Sequence, residues 1–421
     1  MTQTIALLPG VTLRCFADSR FHQGCLSFQL LRPMDRAEAA KNALIPAVLL
    51  RGTKNHPDLR AITGRLDELY GASVGTLVRR VGDYQTTGLY CGFVEDRFAL
   101  PGDEVLSPMV AFLGQLLLDP KTGDGGFDES FVESEKKNLI ATIESELNDK
   151  RVYAMSRMLK AMCKDDSYGI PRLGEKESVG IIDARSLYDH YQKILRESPI
   201  EIFYVGSFPA ETVAGILRPV LERIDRNYKS LPEQTSFHDA GGGDYTEEMD
   251  VAQGKLCMGF VTPITNRSKE FVAMQVMNTV FGAGMTSKLF MNVRERLSLC
   301  YSIGSGYYGS KGVITLSAGI DFDKEQQTRE EILRQLDACR KGEITAEELN
   351  AAKEALLSSL RSTHDTPGAI EGYYSTAALS GMGMTPETYM DAIRTVTARQ
   401  VAEAAATVKL HTTYFLKGVG A

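Results

Sequence analysis

The apolar positions of this chain follow two different spacings, which predict an ordered series of strands and helices. Leu26–Leu31 and Thr87–Val94 alternate apolar and polar side chains, which is typical of strands with one buried face. Residues 127–149 instead repeat apolar positions every four residues and predict a long helix. Together these patterns predict antiparallel or mixed sheets with helices on one face.

Three blocks of this pattern occur twice, in the same order, in the two halves of the chain. The counterpart of the long helix begins at Ile344, where Thr345 is a candidate N-cap followed by acidic residues. A shift of 227 residues aligns one block with its repeat without a gap. The repeated blocks are 127–149 and the helix from Ile344, 182–206 and 396–418, and 66–92 and 293–319.

The segment between the two halves has the composition of a linker. Residues 227–244 mix turn-forming residues with little periodicity and end near three consecutive glycines. A chain of 421 residues is also long for a single hydrophobic core. We therefore predict an α+β fold with two homologous domains, 1–226 and 245–421, joined by the linker 227–244.

The composition argues against two classes of partner, nucleic acids and membranes. A formal charge of -7 and a pI near 5.6 argue against nucleic acid as a partner. No stretch approaches the roughly 20 apolar residues that span a bilayer, and the N-terminus lacks the features of a signal peptide. We therefore expect a cytoplasmic protein that has no membrane partner and keeps its seven scattered cysteines reduced.

The segment 41–57 resembles the first signature of the M16 metallopeptidases, the family of pitrilysin, insulin-degrading enzyme and mitochondrial processing peptidase. In active members a helix carrying H-x-x-E-H leads into a similar Arg-Gly-Thr-Lys ending. Here the two histidine positions fall on Ala43 and Ala47, and the glutamate position falls on Pro46. Alanine has no lone pair for zinc and proline cannot act as a general base.

The same resemblance places the third zinc ligand, a glutamate, at or next to Thr142 on the long helix. The neighbouring Glu144 and Glu146 lie on a different side of that helix and are interpreted as solvated. None of the six histidines lies three or four residues from another, so no helix presents two of them to one metal. The prediction is that this chain binds no metal and no other cofactor itself.

The segment 292–307 resembles the C-terminal signature of the M16 family, in which an Arg and a Tyr lie seven residues apart. These are Arg294 and Tyr301 here, preceded by a glycine turn with Thr286 or Ser287 as candidate cap. The resemblance implies that Arg294 contacts a substrate carbonyl or carboxylate and that Tyr301 donates to the oxyanion. The alternative is a solvated arginine and a tyrosine that covers an apolar strand position.

The resemblance covers nearly the whole chain and implies an M16/LuxS-like metallohydrolase fold of the short-subunit type. It implies a non-catalytic, substrate-binding or regulatory subunit that contributes Arg294 and Tyr301 to a chamber shared with an H-x-x-E-H partner. Zinc is expected in that partner, the substrate is expected to be a peptide, and a self-dimer stays open as an alternative. Two further alternatives are a structural or binding protein without a role in proteolysis, and an active peptidase with an atypical metal site.

Overall fold

The structure is a computed structural model that describes residues 2–146 and 148–420. In the first half of the chain strands alternate with helices, and the last strand of this half pairs within the same main sheet as the earlier long strands. Its elements are β1 (Thr2–Leu8), β2 (Val11–Ala17), β3 (Gln23–Pro33), α1 (Ala39–Leu49), α2 (Leu59–Glu68), β4 (Ser73–Val81), β5 (Tyr84–Val94), α3 (Leu106–Leu118), β6 (Thr122–Gly123), β7 (Gly126–Phe127), α4 (Glu129–Ser145), α5 (Lys150–Met162), α6 (Lys176–Gly180), α7 (Ala184–Glu197), β8 (Ile200–Gly206) and α8 (Ala210–Leu221).

The second half follows a similar order and includes one π-helix, Leu289–Arg296. Short 3-10 turns complete both halves. The elements of the second half are β9 (Gly243–Met249), β10 (Gly254–Val261), α9 (Phe271–Phe281), the π-helix, β11 (Ser302–Tyr308), β12 (Val313–Ile320), α10 (Glu325–Arg340), α11 (Ala346–Ser362), α12 (Pro367–Ser380), α13 (Pro386–Thr395), α14 (Ala398–Ala406) and β13 (Lys409–Gly418).

The two main sheets share one strand order. The first sheet has the order β1-β2-β8-β3-β5-β4, and the second has the order β11-β12-β10-β13-β9. Read from its other edge, the second sheet therefore repeats β2-β8-β3-β5-β4 as β9-β13-β10-β12-β11. In each sheet the corresponding pair, β2 with β8 and β9 with β13, is parallel, while the other ladders are antiparallel. This correspondence confirms the predicted α+β fold built by internal duplication.

The chain folds into two compact units, and each takes a short segment from the other half of the sequence. The first unit comprises 2–144, 170–234 and 364–376, and the remaining described residues form the second. The contiguous domains 1–226 and 245–421 remain a prediction, and that prediction does not include the exchange of these two segments. An amphipathic pattern shows that a helix covers a sheet, but it does not show which sheet.

The segment 364–376 covers one face of the first sheet. Ile370 packs with Cys25 and Val205, and Glu371 accepts hydrogen bonds from Ser27 and Gln29 of β3. Strand β3 is consequently buried on both faces from its second to its ninth residue. The prediction that Leu26–Leu31 has one solvated face is therefore wrong, because a helix from the other half of the sequence covers that face.

The reciprocal segment, α5, covers the second sheet. Its residues Ala154, Met158 and Met162 are buried in one cluster with side chains of β10, β12 and β13. At Gly259 of β10, a Cβ atom would lie 2.5 Å from the sulfur of Met162 and 2.8 Å from that of Met158. The glycine therefore provides the space in which these two methionines lie against the sheet.

The local signals of the sequence agree with the structure in several places. Thr345 caps α11 in a capping box with Glu348, as the sequence predicts. The predicted helix 127–149 corresponds to the shorter α4, Glu129–Ser145, since Phe127 belongs to β7 and Asp149 caps the next helix. Leu147, which belongs to the predicted apolar repeat, lies outside the described residues. No helix in the described ranges combines the length and apolarity required to cross a membrane.

Candidate functional site

Helix α1 carries the positions at which the resemblance expects the first two zinc ligands and the general base. Ala43 and Pro46 are buried and Ala47 is half-buried. Their side chains are two methyl groups and a pyrrolidine ring, none of which has a lone pair for a cation. The residues at these positions therefore do not fit a zinc ion.

Pro46 lies inside α1 rather than at its start. Since proline has no amide hydrogen, the carbonyl of Asn42, four residues earlier, loses its helical donor. The hydroxyl of Thr87 on β5 donates to this carbonyl at 2.5 Å. The proline at the glutamate position is thus accommodated by a specific contact with the sheet, which leaves the buried carbonyl satisfied.

A buried polar network continues from the side chain of Asn42. Its amide nitrogen donates to Gln85 at 2.9 Å, so its Oδ1 accepts from Nε2 of His190 at 2.7 Å. Burial lowers the pKa of His190 to about 4, so the imidazole is neutral at pH 7. The sequence analysis missed both Asn42 and His190, although an asparagine within an apolar helical run is a readable signal for a buried polar contact.

Thr142, at the position of the third ligand, is exposed on α4, and its hydroxyl donates to the carbonyl of Asn138 at 2.9 Å. Glu144 is also exposed and forms an ion pair with Lys176. Over residues 2–146 and 148–420, no group of three or more His, Cys, Asp or Glu side chains is arranged to hold a metal ion. The alternative of an atypical metal site therefore has no candidate ligand set in the described chain.

The predicted Arg–Tyr pair belongs to the second unit, and the structure brings the two residues into contact. Nε of Arg294 donates to the backbone carbonyl of Tyr301 at 3.0 Å, and its guanidinium lies 4.6 Å from the ring centroid of Phe290. Tyr301 is 60% exposed, and its hydroxyl donates to Asp321 at 2.8 Å. This hydrogen bond to a carboxylate raises the pKa of Tyr301, so its hydroxyl remains a donor at neutral pH.

Arg294 is carried by the π-helix Leu289–Arg296. The hydroxyl of Ser287, two residues before this helix, accepts from the amide of Phe290 in its first turn at 3.3 Å. Single π-helical turns are rare and occur often at functional sites. This geometry is consistent with a functional Arg294, although its role stays a prediction.

Asp321 is the residue of this site that the sequence analysis missed. In the hairpin of β11 and β12, Ser302 lies opposite Gly319, and the amide of Tyr301 donates to the carbonyl of Gly319 at 2.8 Å. A side chain just beyond the end of β12 therefore lies beside Tyr301. The signal was present in the sequence, because Asp321 lies two residues after the end of the repeated block 293–319.

Fold and motif positions together resemble an α+β protein of M16 type in which the positions of the first motif carry no zinc ligand. Comparison with known proteins agrees with this class. Residues 182–356 match the family model described as Peptidase M16 inactive domain. The chain is 29% identical over 409 residues to the "Probable inactive metalloprotease YmfF" of Bacillus subtilis (strain 168), covering 97% of this chain and 96% of that relative.

Solved structures show the same fold over almost the whole length. A conserved protein from Enterococcus faecalis V583 superposes with a TM-score of 0.92 at 27% identity, covering 99% of this chain and 98% of the other. A peptidase M16 inactive domain from Pseudomonas fluorescens gives a TM-score of 0.83 with 99% and 98% coverage; at 16% identity this likeness concerns the fold alone. The predicted resemblance to the M16 peptidases, as a metallopeptidase homologue without the H-x-x-E-H motif, is confirmed.

Proposed function

We propose that this chain is a non-catalytic subunit of an M16-type zinc metallopeptidase and that it helps to bind the peptide substrate. The observation that carries the proposal is the hydrogen bond from the half-buried Arg294 side chain to the backbone carbonyl of the exposed Tyr301, in a chain that has alanine at both histidine positions of its motif helix. The name of the Bacillus subtilis relative, a probable inactive metalloprotease, supports the non-catalytic part.

Arg294 and Tyr301 are chemically suited to bind a peptide group while it is being hydrolysed. The Arg294 side chain is 39% exposed, and its Nε contact with Tyr301 fixes the orientation of the guanidinium. A planar fork of donors held in this way binds a carbonyl or carboxylate oxygen. The Tyr301 hydroxyl now donates to the exposed carboxylate of Asp321. During hydrolysis it would donate instead to the oxyanion that forms.

An edge strand begins next to this pair. β11 is at the edge of the second sheet and starts one residue after Tyr301. An extended peptide can add to such an edge through main-chain hydrogen bonds. Its backbone would then run beside Tyr301, which is the arrangement that substrate binding requires.

The partner in this proposal is a zinc-bearing H-x-x-E-H subunit. Two copies of the present chain would bring together two helices with the same alanines and proline, so a self-dimer would still lack this zinc motif. A heterodimer is therefore the favoured assembly. The cytoplasm is the proposed location, since the seven cysteines are buried and free.

The direct test is to purify this chain alone and together with an H-x-x-E-H subunit from the same genome. We expect peptide cleavage and stoichiometric zinc only in the mixed preparation. Bound metal is measured by elemental analysis, and cleavage is measured with a quenched fluorescent peptide library. Stoichiometric zinc and hydrolysis by this chain alone would overturn the proposal.

Substitution of the pair tests its role in the assembled enzyme. We expect Arg294→Ala and Tyr301→Phe each to lower kcat/KM by about 10²-fold or more, because each removes a donor to the reacting carbonyl. Arg399→Ala and Tyr245→Phe are matched controls, since both side chains are exposed in the same unit and neither belongs to β11. Size-exclusion chromatography must show that all four variants still assemble.

One observation favours a purely structural role as the second candidate. Both side chains have internal partners: Arg294 contacts Phe290 and Tyr301, while Tyr301 contacts Asp321. These contacts would also be made in a scaffold protein. Unchanged cleavage by the Arg294→Ala and Tyr301→Phe assemblies would select this second function.

A further inference from the structure

A polar groove of about 810 Å³ lies in the second unit, between α10 and the π-helix. Asn292 and Arg296 of the π-helix contribute to its lining, whereas Arg294 and Tyr301 do not. It is therefore a separate feature from the Arg–Tyr pair, and an inference about it does not depend on the proposed function.

The charge of the groove is opposite to that of the protein. The chain as a whole has a formal charge of -7, but the groove lining contains five cationic side chains and two carboxylates. Such a local excess of positive charge attracts anions even when the whole molecule is acidic. The cations are Lys288, Arg296, Arg334, Arg340 and Lys341, and the carboxylates are Asp337 and Glu343.

Ion pairs inside the protein account for only some of these cations. Nζ of Lys288 lies 2.8 Å and 3.0 Å from the two carboxylate oxygens of Glu348, and Arg340 pairs with Asp337 at 2.9 Å. In the described part of the chain, the side chains of Arg296 and Lys341 have no hydrogen-bond or ion-pair partner. Arg334 pairs with Glu331, so among the described residues Arg296 and Lys341 face one carboxylate without a counter-ion, that of Glu343, and one net positive charge is left to a ligand.

Neutral amides hold the wall of the groove in a fixed arrangement. Nδ2 of Asn292 donates to Gln335 at 2.9 Å, and Nε2 of Gln335 donates to Glu331 at 2.6 Å. This chain of hydrogen bonds ties the π-helix to α10. Because both helices are fixed, the cations that they carry are positioned before any ligand arrives.

We propose that this groove binds a small, multiply charged oxyanion of the phosphate type, such as pyrophosphate or a phosphate ester. Its volume lies within the range of about 300–1,000 Å³ that small-molecule sites occupy. Of its lining residues only Leu333 and Ala338 are apolar, which disfavours an apolar ligand. Its walls are helices, so an extended peptide would find no strand edge with which to pair its main chain. The forked guanidinium of Arg296 and the ammonium of Lys341 match phosphate oxygens.

Isothermal titration of the full chain with inorganic pyrophosphate at low ionic strength tests this site. We expect saturable binding of one anion per chain, and a loss of affinity of at least tenfold in the double variant Arg296→Gln with Lys341→Gln. Both side chains are exposed, so the variant should fold, and circular dichroism checks that it does. The control double variant, Arg399→Gln with Lys409→Gln, removes the same charge from exposed positions elsewhere in the unit and should bind as the wild type does.

Either of two results would overturn the proposal: no saturable binding by the wild type, or an equal loss of affinity in both double variants. The second result would mean that net charge, and not the groove, attracts the anion. Parallel titrations with ATP and with a hexaglutamate peptide separate the sources of negative charge. Tighter binding of the peptide than of pyrophosphate would also overturn it, because the ligand would then be a polypeptide.

Discussion

At the scale of single residues, the buried carboxylate of Glu371 makes the clearest stability prediction. It accepts hydrogen bonds from Ser27 and Gln29 and pairs with Arg79 through both of its oxygens. The Glu371 side chain is fully buried, but 33% of the Arg79 side chain is exposed. Arg79→Met therefore leaves a buried charge without its counter-ion and should lower the free energy of unfolding by about 3–5 kcal/mol. Glu371→Gln should cost less, because the remaining guanidinium can reach water.

Urea unfolding at pH 7 measures both variants. The control is Arg399→Met, which breaks an exposed ion pair with Glu403 and should change stability far less than Arg79→Met does. Equal losses for Arg79→Met and Arg399→Met would contradict the assignment of Glu371 as a buried ionised group.

His190 predicts a pH dependence of stability. Burial lowers its pKa from 6.5 to about 4 in the folded chain, so the unfolded chain binds more protons between these values. The free energy of unfolding should therefore rise from pH 4 to pH 6.5 and level off above, and this contribution is lost as the pH falls through the same window. Converted to free energy, this pKa difference of His190 changes the free energy of unfolding by at most about 3 kcal/mol.

The variant His190→Gln isolates this contribution. Glutamine keeps a donor for Asn42 but does not titrate, so the slope of stability between pH 4 and pH 6.5 should become shallower. The other charges that act on His190 remain in the variant, and a comparison of slopes cancels their contribution. An unchanged slope would show that another group causes the dependence. Those charges are Glu38, which raises the pKa of His190, and Lys41, Arg32 and Lys193, which lower it.

How far the sequence predicts individual residues depends on the distance to their partners along the chain. The Thr345 cap was readable because its partner, Glu348, is three residues away. The roles of Ser27 and Gln29 were not readable, since their partner is separated from Ser27 by 344 positions. From one sequence, an alternating strand with polar residues on one face is interpreted as half-exposed, even where a distant segment covers it.

At the scale of elements, the exchanged segment 145–169 is anchored by a buried ion pair as well as by the methionines of α5. Nζ of Lys311 lies 3.1 Å from Oδ1 of Asp166, and the two side chains are 0% and 2% exposed. The carboxylate also accepts from the amides of Tyr168 and His238 at 2.8 Å and 2.9 Å. We expect Lys311→Met and Asp166→Asn each to cost about 3–5 kcal/mol, since each leaves a buried charge without its counter-ion.

The double variant separates charge burial from packing. Lys311→Met with Asp166→Asn leaves neither charge and should be less destabilised than either single variant, which denaturant titration of all four proteins measures. Losses that add would mean that the pair matters only through its packing volume. Lys311→Arg provides a further comparison, because it keeps the charge.

The internal repeat is the part of the element order that the sequence predicts well. It was visible because the same alternation of strand and helix periods occurs twice. The exchange of α5 and α12 was not visible, because hydrophobic periodicity shows which face of a helix is buried but not which surface that face packs against. The π-helix was equally hidden, since an extra residue per turn leaves little trace in a segment of eight residues.

At the scale of the whole molecule, the exchange of segments predicts that residues 1–234 do not form a stable unit alone. Without 364–376 the face of the first sheet that carries Cys25 and Val205 loses its apolar cover, and the Arg79 side chain loses its counter-ion. Exposed apolar surface and unpartnered polar groups both favour aggregation or partial unfolding. We expect residues 1–234 to bind a hydrophobic dye and to unfold with low cooperativity.

Joining residues 364–380 to this fragment by a flexible linker should restore a cooperative transition, because the segment brings back Ile370 and the Glu371 carboxylate. The same fusion with Glu371→Ala separates the two contributions, since it keeps the apolar cover and removes the ion pair. It should unfold at a lower urea concentration than the intact fusion and at a higher one than the bare fragment. If the bare fragment unfolds as cooperatively as the intact fusion, the covering helix adds nothing to the stability of the first unit. The exchange would then serve only to connect the two halves of the chain.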